Sequence, residues 1–88
     1  MNTDPAEAAI LQTLTARGPG KSITYSEAAK ALAGNPPDDS WHKSMHPIRL
    51  AATRLARAGQ IEILRKGKPV DPANLRGVLR LRLKEQPE

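Results

Sequence analysis

At Gly59 the spacing of apolar residues in this 88-residue chain changes from helical to alternating, and that switch limits the folds left open to it. Before it, apolar side chains recur at three- and four-residue steps. After it, they recur at every second residue. Ile61 and Ile63 share one face, with Glu62 and Leu64 on the other; Leu79, Leu81 and Leu83 alternate in the same way with Arg80, Arg82 and Lys84. Two such runs predict an antiparallel hairpin with Lys66 to Gly77 as its loop. Gly67, Pro69, Asp71-Pro72 and Gly77 supply the turn chemistry.

Three helices are expected upstream. The first starts at Asp4 or Thr3, with Pro5 at the first helical position, where its missing N–H costs nothing, and Glu7 at the positive end of the dipole. Ala6, Ala9, Ile10 and Leu14 form its buried stripe, and Gly18-Pro19-Gly20 stops it. Ser22 to Thr24 reads as a short extended link. Thr24-Tyr25-Ser26-Glu27 then has the form of a capping box, in which the Thr24 hydroxyl and the Glu27 carboxylate satisfy each other's backbone N–H groups. A second helix follows from Tyr25 to Ala33, with Ala28, Ala29 and Leu32 inward and Gly34 as terminator. Asn35 to Asp39, with two prolines, is a loop. In the third helix Ile48, Ala51, Ala52, Leu55 and Ala58 share one stripe, opposite Arg49, Thr53 and Arg57, with Arg54 at the flank. Pro47 argues for a turn or kinked segment over 41–46 and a regular helix over about 47–58.

Helix, short strand, helix, helix, hairpin is the chain order of a winged helix-turn-helix. The expected fold is mainly α with a small antiparallel β-hairpin: three helices plus a wing in one domain over 4–84, with flexible ends at 1–3 and 85–88. A bare three-helix bundle with a loose tail is the alternative, and the regular alternation at Leu79–Lys84 counts against it.

The stretch Ile23-Thr24-Tyr25-Ser26-Glu27-Ala28-Ala29-Lys30-Ala31-Leu32 is followed by Trp41 through Met45, Ile48-Arg49-Leu50-Ala51-Ala52, Leu55-Ala56, Gly59-Gln60-Ile61-Glu62-Ile63 and Gly67. Together these resemble a bacterial family of unknown function whose members read P-S-E-V-A-R-A-L, W-x-x-L-M-x-x-V-R-x-A-A and L-x-x-x-G. Tyr25 stands where that family usually has Pro, and Ser44 where it usually has an aliphatic residue. The resemblance covers about residues 6 to 83. It implies the winged-helix fold and brings no activity, substrate or site residues.

Charge is segregated along the chain. Residues 1–41 carry three Lys/Arg against five acids, a net of −2; residues 42–84 carry eleven against Glu62 and Asp71, a net of +9. Such a bias points to a polyanion-facing surface. Tyr25 and Trp41 are the only aromatic residues besides the histidines, which disfavours stacking readers of single strands or RNA loops. The absence of cysteine excludes a disulfide scaffold and a thiolate nucleophile. No leader-like start and no apolar run near the roughly 20 residues of a membrane span occurs, so a cytoplasmic address off the membrane is expected.

In a winged helix the third helix enters the major groove while the hairpin touches the adjacent backbone. That expectation selects Lys43, His46, Arg49, Thr53 and Arg57 from the helix region. It selects Arg65, Lys66, Lys68 and Arg76 from the wing, and the expected partner is duplex DNA, as for a transcriptional regulator. Arg49 is also placed to pair with Asp38, Asp39 or Glu27 instead. Arg80, Arg82 and Lys84 need only blunt an edge strand. Trp41 beside Met45 reads as the aromatic plug of a thin core. His42 and His46 have metal-compatible spacing without the further ligands that would complete a site. Gly18-Pro19-Gly20-Lys21-Ser22 matches the end of a phosphate loop, but the motif's first Gly is missing and a helix precedes it. No catalytic arrangement and no cofactor is expected. The alternative is a protein-interaction module docking an acidic partner, with the outward Leu50 marking its contact patch.

Overall fold

Residues 4–18, 20–71 and 77–84 are described by a computed structural model, which contains three α-helices, one 3₁₀ helix and a four-stranded antiparallel sheet. The architecture is mixed α/β and mostly helical. The ends at 1–3 and 85–88 lie outside the described residues.

Helix α1 spans Pro5–Arg17. The Asp4 carboxylate caps it, accepting from the Ala6 N–H at 2.8 Å and the Glu7 N–H at 3.4 Å. Helix α2 spans Tyr25–Leu32, one residue shorter than expected, and the Thr24 hydroxyl accepts from the Glu27 N–H at 3.1 Å. The reciprocal half of the capping box is not formed. The Glu27 carboxylate takes the Arg17 guanidinium at 2.9 Å instead, tying the end of α1 to the start of α2.

The expected turn before the third helix is a 3₁₀ helix, Asp39–Ser44, which leads directly into α3, Met45–Arg57. The helix begins two residues earlier than the expected 47, because Pro47 falls third in its first turn. A backbone N–H there has no acceptor within the helix, so the proline removes nothing. Gly59, at φ +78°, closes α3: its N–H donates to the Ala56 carbonyl at 3.1 Å and the Gln60 N–H to the Leu55 carbonyl at 3.0 Å. This pair of bonds is the Schellman closure that a left-handed glycine permits. Ala58, expected inward, caps the helix and is exposed.

The strands are β1 (Ser22–Thr24), β2 (Ile61–Arg65), β3 (Lys68–Pro69) and β4 (Arg80–Leu83), in the order β1-β4-β2-β3. The β2–β4 hairpin forms as the alternation predicts, with Ile61 opposite Leu83 and Ile63 opposite Leu81. Two features go beyond the expectation of a short extended link and a simple hairpin. The link Ser22–Thr24 is an edge strand paired to β4. The expected loop from Lys66 to Gly77 opens with the two-residue turn Lys66-Gly67, at φ +53° and +79°, and returns as β3. Positive φ at both positions is the type I′ geometry that matches the twist of a tight hairpin. Because β4 is an inner strand, its cations have no edge to blunt. Arg80 instead bonds Ser22 on β1 (Nε to Oγ 2.7 Å, Nη2 to the carbonyl 3.1 Å), and Arg82 pairs with Glu62 on β2 at 2.9 Å.

Helix α1 packs on β1 and β4, and α3 packs on β2. The core between helices and sheet joins Ile10 and Leu14, Ile23, Ala28 and Ala29, Ile48, Ala51, Ala52 and Leu55, and Ile61, Ile63 and Leu81. Trp41 and Met45 are partly buried against its margin, in keeping with the plug reading. Ile23 has no exposed surface although its strand is three residues long. Ile23→Ala is therefore expected to cost about 3 kcal/mol and Ile23→Val about 1 kcal/mol, read from urea midpoints at unchanged slope. A loss under about 1 kcal/mol for the alanine variant would contradict a structural role for β1.

Candidate nucleic-acid interface

The inward stripe of α3 leaves a continuous outer face bearing His46, Arg49, Leu50, Thr53 and Arg57, all exposed except the half-buried Thr53. From His46 to Arg57 this face is about 16 Å long at the helical rise. Lys43 precedes it on the 3₁₀ helix, and Arg65, Lys66 and Lys68 follow the β2–β3 turn, all exposed. The expected wing residue Arg76 lies outside the described residues.

A cleft of about 440 Å³ runs along the inner edge of that face. Its α3 wall is His46, Arg49, Leu50 and Thr53; Tyr25 at the start of α2 and the Gly77–Leu79 approach to β4 form the rest. Gly77 also lies beside the Arg65 side chain, whose Cδ is 3.6 Å from where a β-carbon at Gly77 would be. Arg65 thus adjoins the cleft and connects it with the lysines of the turn. His46, Arg49, Thr53 and Arg65 are brought together, with Lys66 and Lys68 beyond them along the hairpin. Lys43 and Arg57 lie at the two ends of α3.

Five carboxylates are engaged away from this face. Asp4 and Glu7 hold Arg54 at 3.3 and 3.4 Å, Glu27 holds Arg17, and Glu62 holds Arg82. Asp38 accepts from the Ser40 N–H at 3.0 Å, and its hydrogen bonding to Ser40 keeps its carboxyl below the usual range. Among the described residues no salt bridge joins Arg49 to Asp38, Asp39 or Glu27, so the alternative in which Arg49 locks the loop to the helix is not formed. The Thr53 hydroxyl donates to the Arg49 carbonyl at 3.1 Å, which leaves its oxygen available only as an acceptor.

The histidines do not act together. His42 stacks on Trp41 with ring centroids 3.9 Å apart, its Nδ1 2.9 Å from the Asp39 carbonyl, whereas His46 lines the cleft. No group of three His, Cys, Asp or Glu side chains suited to a metal gathers among the described residues. Trp41 also carries Lys30 over its ring at 5.0 Å and takes no part in the cleft.

Tyr25 was not singled out from the sequence, although a signal was present. It shares the 25–28–29–32 spacing of the apolar stripe of α2, so a phenol there must bring its hydroxyl out at the margin of the core. Burial raises its pKa, and the nearby Arg49 charge opposes part of that rise. Arg54 likewise proves to be a tether between α3 and α1.

A model of a protein family described as being of unknown function (DUF3253) matches residues 3–84. A comparison with curated proteins finds no match. No helix among the described residues is long and apolar enough to cross a membrane.

Tyr25 is the one tyrosine, so tyrosinate absorbance reports this group alone. Its ionisation midpoint is expected above the ordinary value near 10, and higher again in Arg49→Gln. Stability linked to it is complete below about pH 10 and declines as the pH climbs through the folded midpoint; Tyr25→Phe removes that decline. A midpoint in Arg49→Gln equal to or below the parent's would separate Arg49 from the cleft.

Proposed function

The chain belongs to that family, whose description assigns no activity, and for this member we propose duplex DNA binding in a winged-helix arrangement. In it α3 enters the major groove and the β2–β3 hairpin follows the adjacent backbone. One observation carries the reading: cations without carboxylate partners among the described residues continue from Arg49 on α3 to Arg65, Lys66 and Lys68, while Asp4, Glu7, Glu27 and Glu62 are paired with other arginines. Arg49 and Arg57 lie on the exposed helix face, where a guanidinium can take guanine O6 and N7 bidentately. The turn lysines act as point charges toward phosphate. The role is that of a cytoplasmic regulator, and it includes no catalytic step.

A second reading, a docking module for an acidic protein, is favoured by the apolar side chains on the same surface. Leu50, on the cleft's α3 wall, is 49% exposed, and Leu79 lines the opposite wall. Amide shifts produced by an acidic peptide, with none produced by duplex, would decide for that reading.

If about five phosphates are contacted, affinity falls several hundredfold between about 50 and about 200 mM salt. Fluorescence anisotropy with a labelled random duplex measures this. Arg49→Ala and Arg57→Ala are expected to weaken binding and flatten the salt slope, and Arg80→Ala and Arg82→Ala to do neither, because those guanidinium groups are held by Ser22 and Glu62. No binding at tens of micromolar protein in low salt, where even non-specific complexes form, overturns the proposal.

A further inference from the structure

The cleft beside α3 differs from the rest of the basic surface in being concave and partly apolar. Lys43, Arg57, Lys66 and Lys68 are exposed charges, of the kind that meets a phosphate backbone without enclosing anything. Arg49 instead faces a recess whose other walls include Leu50, Leu79 and Tyr25. A volume of about 440 Å³ lies within the range that encloses small organic ligands. Apolar walls with a few convergent polar groups are likewise the usual make-up of such sites.

We propose that this cleft binds a small organic carboxylate with an apolar body, the carboxylate on Arg49 and the body between Leu50 and Leu79. Arg49 has no carboxylate partner among the described residues, and its planar fork suits a bidentate carboxylate. The Tyr25 hydroxyl forms no hydrogen bond with the described residues and, lining the cleft, can donate to the same anion. A tyrosine phenol is protonated at neutral pH, as a donor must be. His46 supplies a further N–H at the rim. The Thr53 hydroxyl, already donating to the Arg49 carbonyl, does not compete for the ligand's negative charge as a donor. A phosphate monoester is the less suitable guest, because the leucine walls would strip water from its oxygens without replacing those hydrogen bonds.

The site stands independently of the duplex reading, with which it shares Arg49. Benzoate, its neutral isostere benzamide, acetate and methyl phosphate are suitable probes, titrated into the full chain and followed by amide shifts. Benzoate is expected to saturate with a Kd on the order of 1 mM, moving Tyr25, Arg49, Leu50, Thr53 and Leu79. Benzamide and acetate should each bind at least about tenfold more weakly, a factor that one lost charge–charge contact or apolar body supplies. Arg49→Gln should weaken benzoate about tenfold while leaving the rest of the spectrum in place, and Leu50→Ala should weaken it with the charge intact. Arg57→Gln lies outside the cleft: it should lower duplex affinity and leave benzoate unchanged. Loss of duplex binding with benzoate binding intact would defeat only the DNA reading. Equal binding of benzoate and benzamide, indifference of benzoate to Arg49→Gln, shifts that never saturate, or methyl phosphate binding as tightly as benzoate would each overturn the carboxylate site.

Discussion

Leu81 lies between Ile23 on β1 and Ile63 on β2, fully buried in the one strand that pairs with both halves of the chain. Its strand is four residues long and β1 only three, so neither pairing would persist in water by itself. Their stability comes from the aliphatic contact across the register, backed by α1 on β1 and β4 and by α3 on β2. This inner position of β4 fixes much else. It brings the Gly77–Leu79 approach alongside α3 and so creates the second wall of the cleft. It also turns the Arg80 and Arg82 side chains toward Ser22 and Glu62, which removes two guanidinium groups from the pool open to a partner.

The remaining charges are sorted by the same geometry. Exposed ion pairs contribute little to stability, typically below about 1 kcal/mol. The pairs of Arg17 with Glu27 and of Arg54 with Asp4 and Glu7 therefore matter less as braces than as a way of using up acids. Four carboxylates of the described chain lie against arginines away from the outer face of α3. The segregation apparent along the sequence, acidic before residue 42 and basic after it, thereby becomes a segregation in space. Of the basic half's cations, Arg54 is taken up by Asp4 and Glu7 of the acidic half and Arg82 by Glu62 of its own half, which leaves the cations of the outer α3 face and the β2–β3 turn without carboxylate partners among the described residues.

What could be read from the sequence was whatever had a local cause. Asp4-Pro5 marks a helix start through one side chain and one missing N–H, and Gly59 marks an end through its left-handed backbone; both are where the residues place them. The alternation of Leu79, Leu81 and Leu83 gave the β2–β4 pairing for the same reason. The pairing of β1 with β4 had no such signature, since three residues cannot display a period and their partners lie far along the chain, as Ile23 and Leu81 do. The β2–β3 turn was hidden because Lys66 takes a positive φ that lysine seldom adopts, a cost borne by the hairpin around it. Of the candidate surface, the helix-face cations were legible from spacing alone. The cleft was not, because its far wall comes from a chain segment whose position depends on that unreadable strand pairing.

The composition of the core bears on what is left at its margin to line the cleft. With no Phe, and with alanine at Ala28, Ala29, Ala51 and Ala52, the helices approach closely and the interior holds few large side chains. Tyr25 and Trp41, the two bulky rings, are both at the margin, where a polar tip stays in reach of water. Leu50 stays on the rim beside Arg49 because the buried stripe of α3 faces the other way, and Leu79 packs partly against the core at the same rim. Together they line the recess. Its polar groups are the ones that the packing of α2 against α3 leaves facing outward, and they converge because Tyr25 starts the one helix and Arg49 lies in the first turns of the other.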